Sequence, residues 1–122
     1  RCHQRGQGGQ ATVELALVLP VVMGLLIMVV QVGLLARDQV LVVHAARAAA
    51  REVAVDPGGA AARAALDGID SGRFSLIVGG DTSPGGIATV TVTGRPTTMP
   101  LVGALVGSIE LRERLSVRVE GP

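Results

Sequence analysis

The run LALVLPVVMGLLIMVVQVGLLA (residues 15–36) carries no formal charge across 22 positions, and only Pro20, Gly24, Gln31 and Gly33 interrupt its apolar side chains. As a helix rising about 1.5 Å per residue it reaches roughly 33 Å, enough for a bilayer hydrocarbon core of about 30 Å. A secretory signal peptide has a shorter apolar region, of about 7 to 15 residues, followed by small residues at a cleavage site. Here the alanines (Ala45, Ala46 and Ala48 to Ala50) come only after Arg37 and Asp38, in what reads as continuing helix. A buried core helix fits poorly, because the remainder of so short a chain would have to cover it on every side. The run predicts a single membrane span.

Its flanks set the orientation. Arg1 and Arg5 precede it with no acid before Glu14, whereas Arg37 and Asp38 behind it cancel, so the bias of basic residues puts the N-terminus inside. Residues after Ala36 are then extracytoplasmic. Arg1, standing where a Met would begin a chain, is not read as a true terminus. From Gln39 to Val55 no proline occurs, and the helix is expected to continue as a stalk until Asp56-Pro57-Gly58-Gly59 ends it. Ala45, Ala46, Ala49 and Ala50 either admit the backbone of another helix or rest against the chain's own outer domain. Arg47 and Arg51, four residues apart, share a polar stripe.

Beyond the glycines the periodicity changes. Ala60 to Leu66 reads as a short helix, and residues 73–78, 87–94 and 114–120 read as strands from their β-branched or alternating apolar residues. In the last of these, Leu115, Val117 and Val119 face one way and Ser116, Arg118 and Glu120 the other, as in an antiparallel sheet with one wet side. The Gly-rich stretch VGGDTSPGGI suits a hairpin turn. Residues 96–109 are too short to cross a membrane and are expected to fold over the sheet, with an exposed patch for a neighbour as the alternative. The fold class is α+β: a long N-terminal transmembrane and stalk helix followed by a small antiparallel β-sheet domain.

Composition removes several functions. The 11 basic residues, all arginine, are scattered among 10 acids for a net charge of +1, which lacks the clustered footprint of a nucleic-acid binder. Phe74 is the sole aromatic residue, so bases and sugars have no stacking platform. Cys2 is the sole cysteine, which leaves no intrachain disulfide or Cys-based zinc site. His44 has no second histidine nearer than His3, and Asp81 alone does not gather the oxygen ligands of a calcium site. The loop after residue 78 is followed by a strand, and the chain has no lysine, so it is no phosphate cradle. No Ser-His-acid set and no supported carboxylate pair appears, and the expectation is a non-enzyme without cofactor or metal.

The head of the apolar run carries the most specific signal. Gly9, then Gln10-Ala11-Thr12-Val13-Glu14, then a hydrophobic helix, resembles the processing site of type IV pilin-like precursors, in which a membrane aspartyl peptidase cuts after the glycine and an acid stands fifth in the mature chain. Residues 9–51, including VELALVLP and AARAAAR, are similar to the TadE-like family of pseudopilins, accessory components of Flp (tight adherence) pili that serve adhesion. The resemblance implies a basic leader at 1–9, and with the residue pattern beyond it the expected organisation is a transmembrane and stalk helix at 10–55, a linker with a short helix at 56–72 and a β domain at 73–122. It implies Gly9 and Gln10 as the processing site and Glu14 as an assembly residue. The implied partners are the lipid bilayer, a prepilin peptidase, other pilin-like subunits and the pilus assembly machinery. The implied work is that of a minor or priming component in the cell membrane, sometimes pilus-associated.

Cutting after Gly9 would leave Gln10 with an α-amino group, cationic at neutral pH, one helical turn from Glu14. Glu14 would then neutralise its own amine or a neighbour's, and an unpaired acid at the bilayer centre is penalised by up to about 3 kcal/mol. A plain helix-start acid favoured by the helix dipole is the alternative. Pro20 removes the hydrogen bond to the Ala16 carbonyl and should kink the helix. A rival for the whole chain is a membrane-tethered extracytoplasmic binding module that never enters a pilus.

Overall fold

In the computed structural model the described residues are 7–97, 103–104 and 109–120. The first element, α1, is a helix over Gln7–Val55 that continues through Pro20. A short helix α2 follows at Ala60–Ile69, then strands β1 (Phe74–Gly80), β2 (Ile87–Gly94) and β3 (Leu111–Arg118). The architecture is α+β, as the periodicity implied. Contacts divide the chain into two units, Arg1–Gly33 and Leu34–Pro122, so α1 contributes to both.

In the first unit α1 is exposed nearly all round. Leu15, Leu17, Val21, Leu25, Met28 and Val29 are all exposed. A helix apolar on every side has no face to turn to water, and its stable surroundings are lipid or other apolar helices. It is the one helix among the described residues long and apolar enough to cross a membrane.

The second unit is built on the other end of α1. Asp38, Val42, Ala45, Ala46, Ala49 and Val53 are buried, at the three- and four-residue spacing of one helical face. Above them lies a meander in the order β1-β2-β3, antiparallel throughout. Ala88, Val90 and Val92 of the central strand are fully buried, flanked by Phe74, Leu76 and Val78 on one side and Leu115 and Val117 on the other. Ala62 and Leu66 of α2, one turn apart, close the same core with Val119. The alanines of α1 therefore lie under the chain's own sheet: their small side chains let helix and sheet approach closely, which rejects the option that they are reserved for another helix.

The turns explain where elements stop. After α1, Pro57 offers no N–H, and Asp56 Oδ1 accepts a hydrogen bond from Gly58 N–H at 3.0 Å. Gly59 takes φ 74°, a left-handed conformation, and its carbonyl accepts the first α2 bond from Arg63 N–H at 3.0 Å. In the β1–β2 hairpin, Gly80 has φ 85°, and a Cβ there would stand 2.6 Å from the Ile87 carbonyl oxygen. Asp81 accepts hydrogen bonds from the Ser83 N–H (3.0 Å) and hydroxyl, which hold its fully exposed carboxyl below the usual range.

Several boundaries differ from those read in the sequence: α2 continues to Ile69 rather than Leu66, β1 begins at Phe74 and β3 ends at Arg118. β1 runs two residues further, to Gly80, and β3 begins three residues earlier, at Leu111. The early charged part of β3, Arg112-Glu113-Arg114, lacks apolar alternation, but Leu111 pairs with Gly94, so the strand answers the whole length of β2. Tertiary pairing outweighs local pattern there. The segment 96–109, expected to fold over the sheet, lies mostly outside the described residues.

Candidate functional sites on the membrane helix

Gly9, Gln10, Val13, Glu14 and Leu17 share one side of the first turns of α1, since positions i, i+1, i+4, i+5 and i+8 cluster on a 3.6-residue helix. All five are exposed. Gln10 and Glu14 are thus stacked a turn apart. A Cβ placed on Gly9 would meet nothing within 4 Å, so its neighbours do not require glycine there. Helix α1 begins at Gln7, and the Gly9–Gln10 peptide bond lies inside its first turn. The first turn is where helices fray, because its N–H groups lack intrahelical acceptors. Glu14 is the sole formal charge from Gln7 to Ala36. Pro20 lies one and a half turns further along the same helix, with no break in its assignment.

A second polar site lies on the part of α1 that belongs to the Leu34–Pro122 unit. Asp38 is only 3% exposed. Its carboxylate accepts a hydrogen bond from Arg73 Nη2 at 2.6 Å and another from the Thr97 N–H, with the Thr97 hydroxyl at 3.4 Å. Arg73 also donates from Nη1 to Asp70 at 3.3 Å, from Nε to the Arg95 carbonyl at 3.1 Å and from Nη2 to the Thr97 hydroxyl at 2.8 Å. One guanidinium thus ties α1, the end of α2 and the segment after β2 together at the start of β1.

Burial works against the Asp38 charge, yet the Thr97 N–H and the Arg73 guanidinium outweigh it and hold the carboxyl below the usual range. Burial likewise works to lower Arg73, while Asp38 and then Asp70 raise it. Both groups stay ionised as a pair.

In the sequence Asp38 counts only as a charge that cancels Arg37 behind the apolar run; the structure gives it Arg73 as its ion-pair partner. Arg37 is exposed, whereas Asp38 is turned into the outer unit and paired with Arg73. A signal was present: Asp38 stands at i−4 and i−7 from Val42 and Ala45, on the apolar face of the helix. An acid on that face needs a buried cation or donors. Among the described residues no group of three or more His, Cys, Asp or Glu side chains is placed to hold a metal ion.

A membrane-length apolar helix with one acid near its head, followed in the chain by a small antiparallel sheet, is the arrangement expected of a pilin-like protein and is consistent with a single membrane span. Residues 9–51 match the family model described as TadE-like protein, so this segment is similar to that family. No match was found among curated proteins or among solved structures. The matched segment takes in Gly9, Gln10, Glu14, Pro20 and Asp38, and stops at Arg51 within α1.

Proposed function

We propose that this chain is a membrane-anchored pseudopilin, trimmed between Gly9 and Gln10 by a prepilin peptidase and used as a minor or priming component of a Flp/Tad pilus machine, in a non-enzymatic role. The leader is residues 1–9, the membrane and stalk helix 10–55, the linker 56–72 and the β domain 73–122. The N-terminus is cytoplasmic and the domain beyond Ala36 extracytoplasmic. The observation that carries the reading is Glu14, five residues after Gly9 and the lone charge from Gln7 to Ala36, the apolar and largely exposed first part of α1.

A carboxylate in that position is stable beside a cation. Trimming creates one at Gln10, a turn away, on the side of the helix that Gly9, Val13 and Leu17 share. Paired within the chain, Glu14 is neutralised; paired with the amine of an adjoining subunit, it sets the axial register between two membrane helices. The outer domain then presents the folded surface of the assembled or priming subunit.

The test is N-terminal mass spectrometry of membrane-extracted protein with the peptidase present. The mature chain should begin at Gln10 or its cyclised form, and a mature chain that retains Arg5 overturns the proposal in favour of a plain anchor. Glu14→Ala and Glu14→Gln should both leave insertion and trimming intact while lowering crosslinks to other pilin-like subunits. Normal crosslinking by both variants would reduce Glu14 to an ordinary helix-start acid.

A further inference from the structure

The part of α1 that supports the sheet has a second face. Opposite Val42, Ala45, Ala46, Ala49 and Val53 lie Arg37, Val40, His44, Arg47 and Arg51, all exposed, at steps of three and four residues. The row covers about 21 Å of helix, at about 1.5 Å per residue. It contains no acid. The nearby acids are engaged or turned aside: Asp38 lies under the sheet with Arg73, Asp56 accepts from Gly58, and Glu52 is half-buried on the flank.

Arg47 and Arg51 stand at i,i+4, a spacing at which like charges repel and destabilise an isolated helix by a few tenths of a kcal/mol. Among the described residues neither makes an ion pair, and neither does Arg37. Val40 and Val55, on the same side, are 55% and 59% exposed. Three arginines interleaved with exposed valines are suited to a partner that brings both carboxylates and apolar side chains at helical spacing.

We propose that this face of α1 docks an acidic helix of a different membrane-anchored protein, with Arg37, Arg47 and Arg51 as the recognising charges. A second copy of this chain fits badly, because the same face of its helix is basic and a two-fold contact would set arginine against arginine. A free polyanion would use the charges and leave Val40 and Val55 uncovered. The inference needs only that α1 is anchored in a membrane, and is independent of trimming after Gly9.

The experiment places a photocrosslinking residue at Val40, and in a separate chain at Thr89 on the outer side of the sheet, in the full-length protein in its own membranes. The Val40 probe should give a heteromeric adduct whose crosslinked peptide lies in a helix with acids three or four residues apart, and the Thr89 probe should not. Arg47→Glu with Arg51→Glu should lower that adduct roughly tenfold or more, and exchanging the partner's facing acids for lysine should restore it. Arg63→Glu, on the exposed side of α2, controls for general charge, and resistance to proteolysis should be unchanged in every variant. An adduct of twice the chain's own mass, an adduct with lipid alone, no adduct, or indifference to the charge reversal would each overturn the proposal. Retention of Arg5 in the same samples reports on trimming separately.

Discussion

Replacing Asp38 with alanine removes the acceptor that holds three segments of the outer unit together. Its two short hydrogen bonds, from Arg73 Nη2 and the Thr97 N–H, are charge-assisted and contribute about 1.5 to 3 kcal/mol each in general. Breaking a fully buried pair costs about 3 to 5 kcal/mol because a charge is left stranded. Here the stranded side is milder. The Arg73 side chain is 22% exposed and keeps Asp70, the Arg95 carbonyl and the Thr97 hydroxyl, so water and these acceptors take up part of the loss. The expected destabilisation is therefore about 2 to 3 kcal/mol. Arg73→Met should cost at least as much, since Asp38 then keeps only Thr97. The double variant should fall short of the sum by about 1 to 2 kcal/mol.

Urea unfolding of the full chain in detergent micelles, followed by pulse proteolysis of the outer unit, measures all three. Single-variant losses under about 0.5 kcal/mol, or strict additivity, would refute the reasoning. The pH dependence follows from the direction of the Asp38 shift. Because its folded carboxyl is depressed, its contribution is present above the unfolded aspartate value of about 3.9 and is lost as pH falls through the folded value. The gap between wild type and Asp38→Ala should be flat from about pH 5 to 8 and close below about pH 4.

Three further expectations follow from the fold. Gly94→Ala puts a Cβ 2.7 Å from Val42 Cγ2 and 3.1 Å from Phe74 Cε1, so the sheet must lift from α1, at about 1 to 3 kcal/mol by the same urea assay. A change under about 0.3 kcal/mol would mean that Val42 simply rotates away. Gly80→Ala meets backbone rather than a side chain, and its positive φ adds strain, so its loss should be at least as large, about 2 to 4 kcal/mol, with hydrogen exchange quickened in the hairpin. Reporter fusions after Pro57 and after Gly94 should both be active only outside the cytoplasm, and cytoplasmic activity at both sites would reverse the orientation.

How much of this was legible in the residues depends on the range of the interaction involved. Hydropathy and periodicity are local, so the long apolar helix through 15–36, the helix end at Asp56-Pro57-Gly58-Gly59 and strand β2 at 87–94 could be read directly. The Gly9 to Glu14 spacing and the string through Arg51 are linear patterns too, and the family match covers those same positions. Asp38 shows where that reading fails. Beside Arg37 it reads as half of a cancelling pair, yet its cation is Arg73, 35 residues on, and its second donor is Thr97, 59 residues on. The alanines had two readings, another helix or the chain's own domain, and the sheet lying on them decides for the second. The start of β3 was hidden because three charged residues make a poor strand alone and a sound one opposite Thr91, Val92 and Thr93. The sequence by itself determined where the chain is apolar, where it turns and which residues head the long apolar helix. Only the tertiary structure decided which face of α1 is covered, and with it which charges are paired inside and which arginines remain facing outward, because desolvation depends on neighbours that chain separation does not reveal.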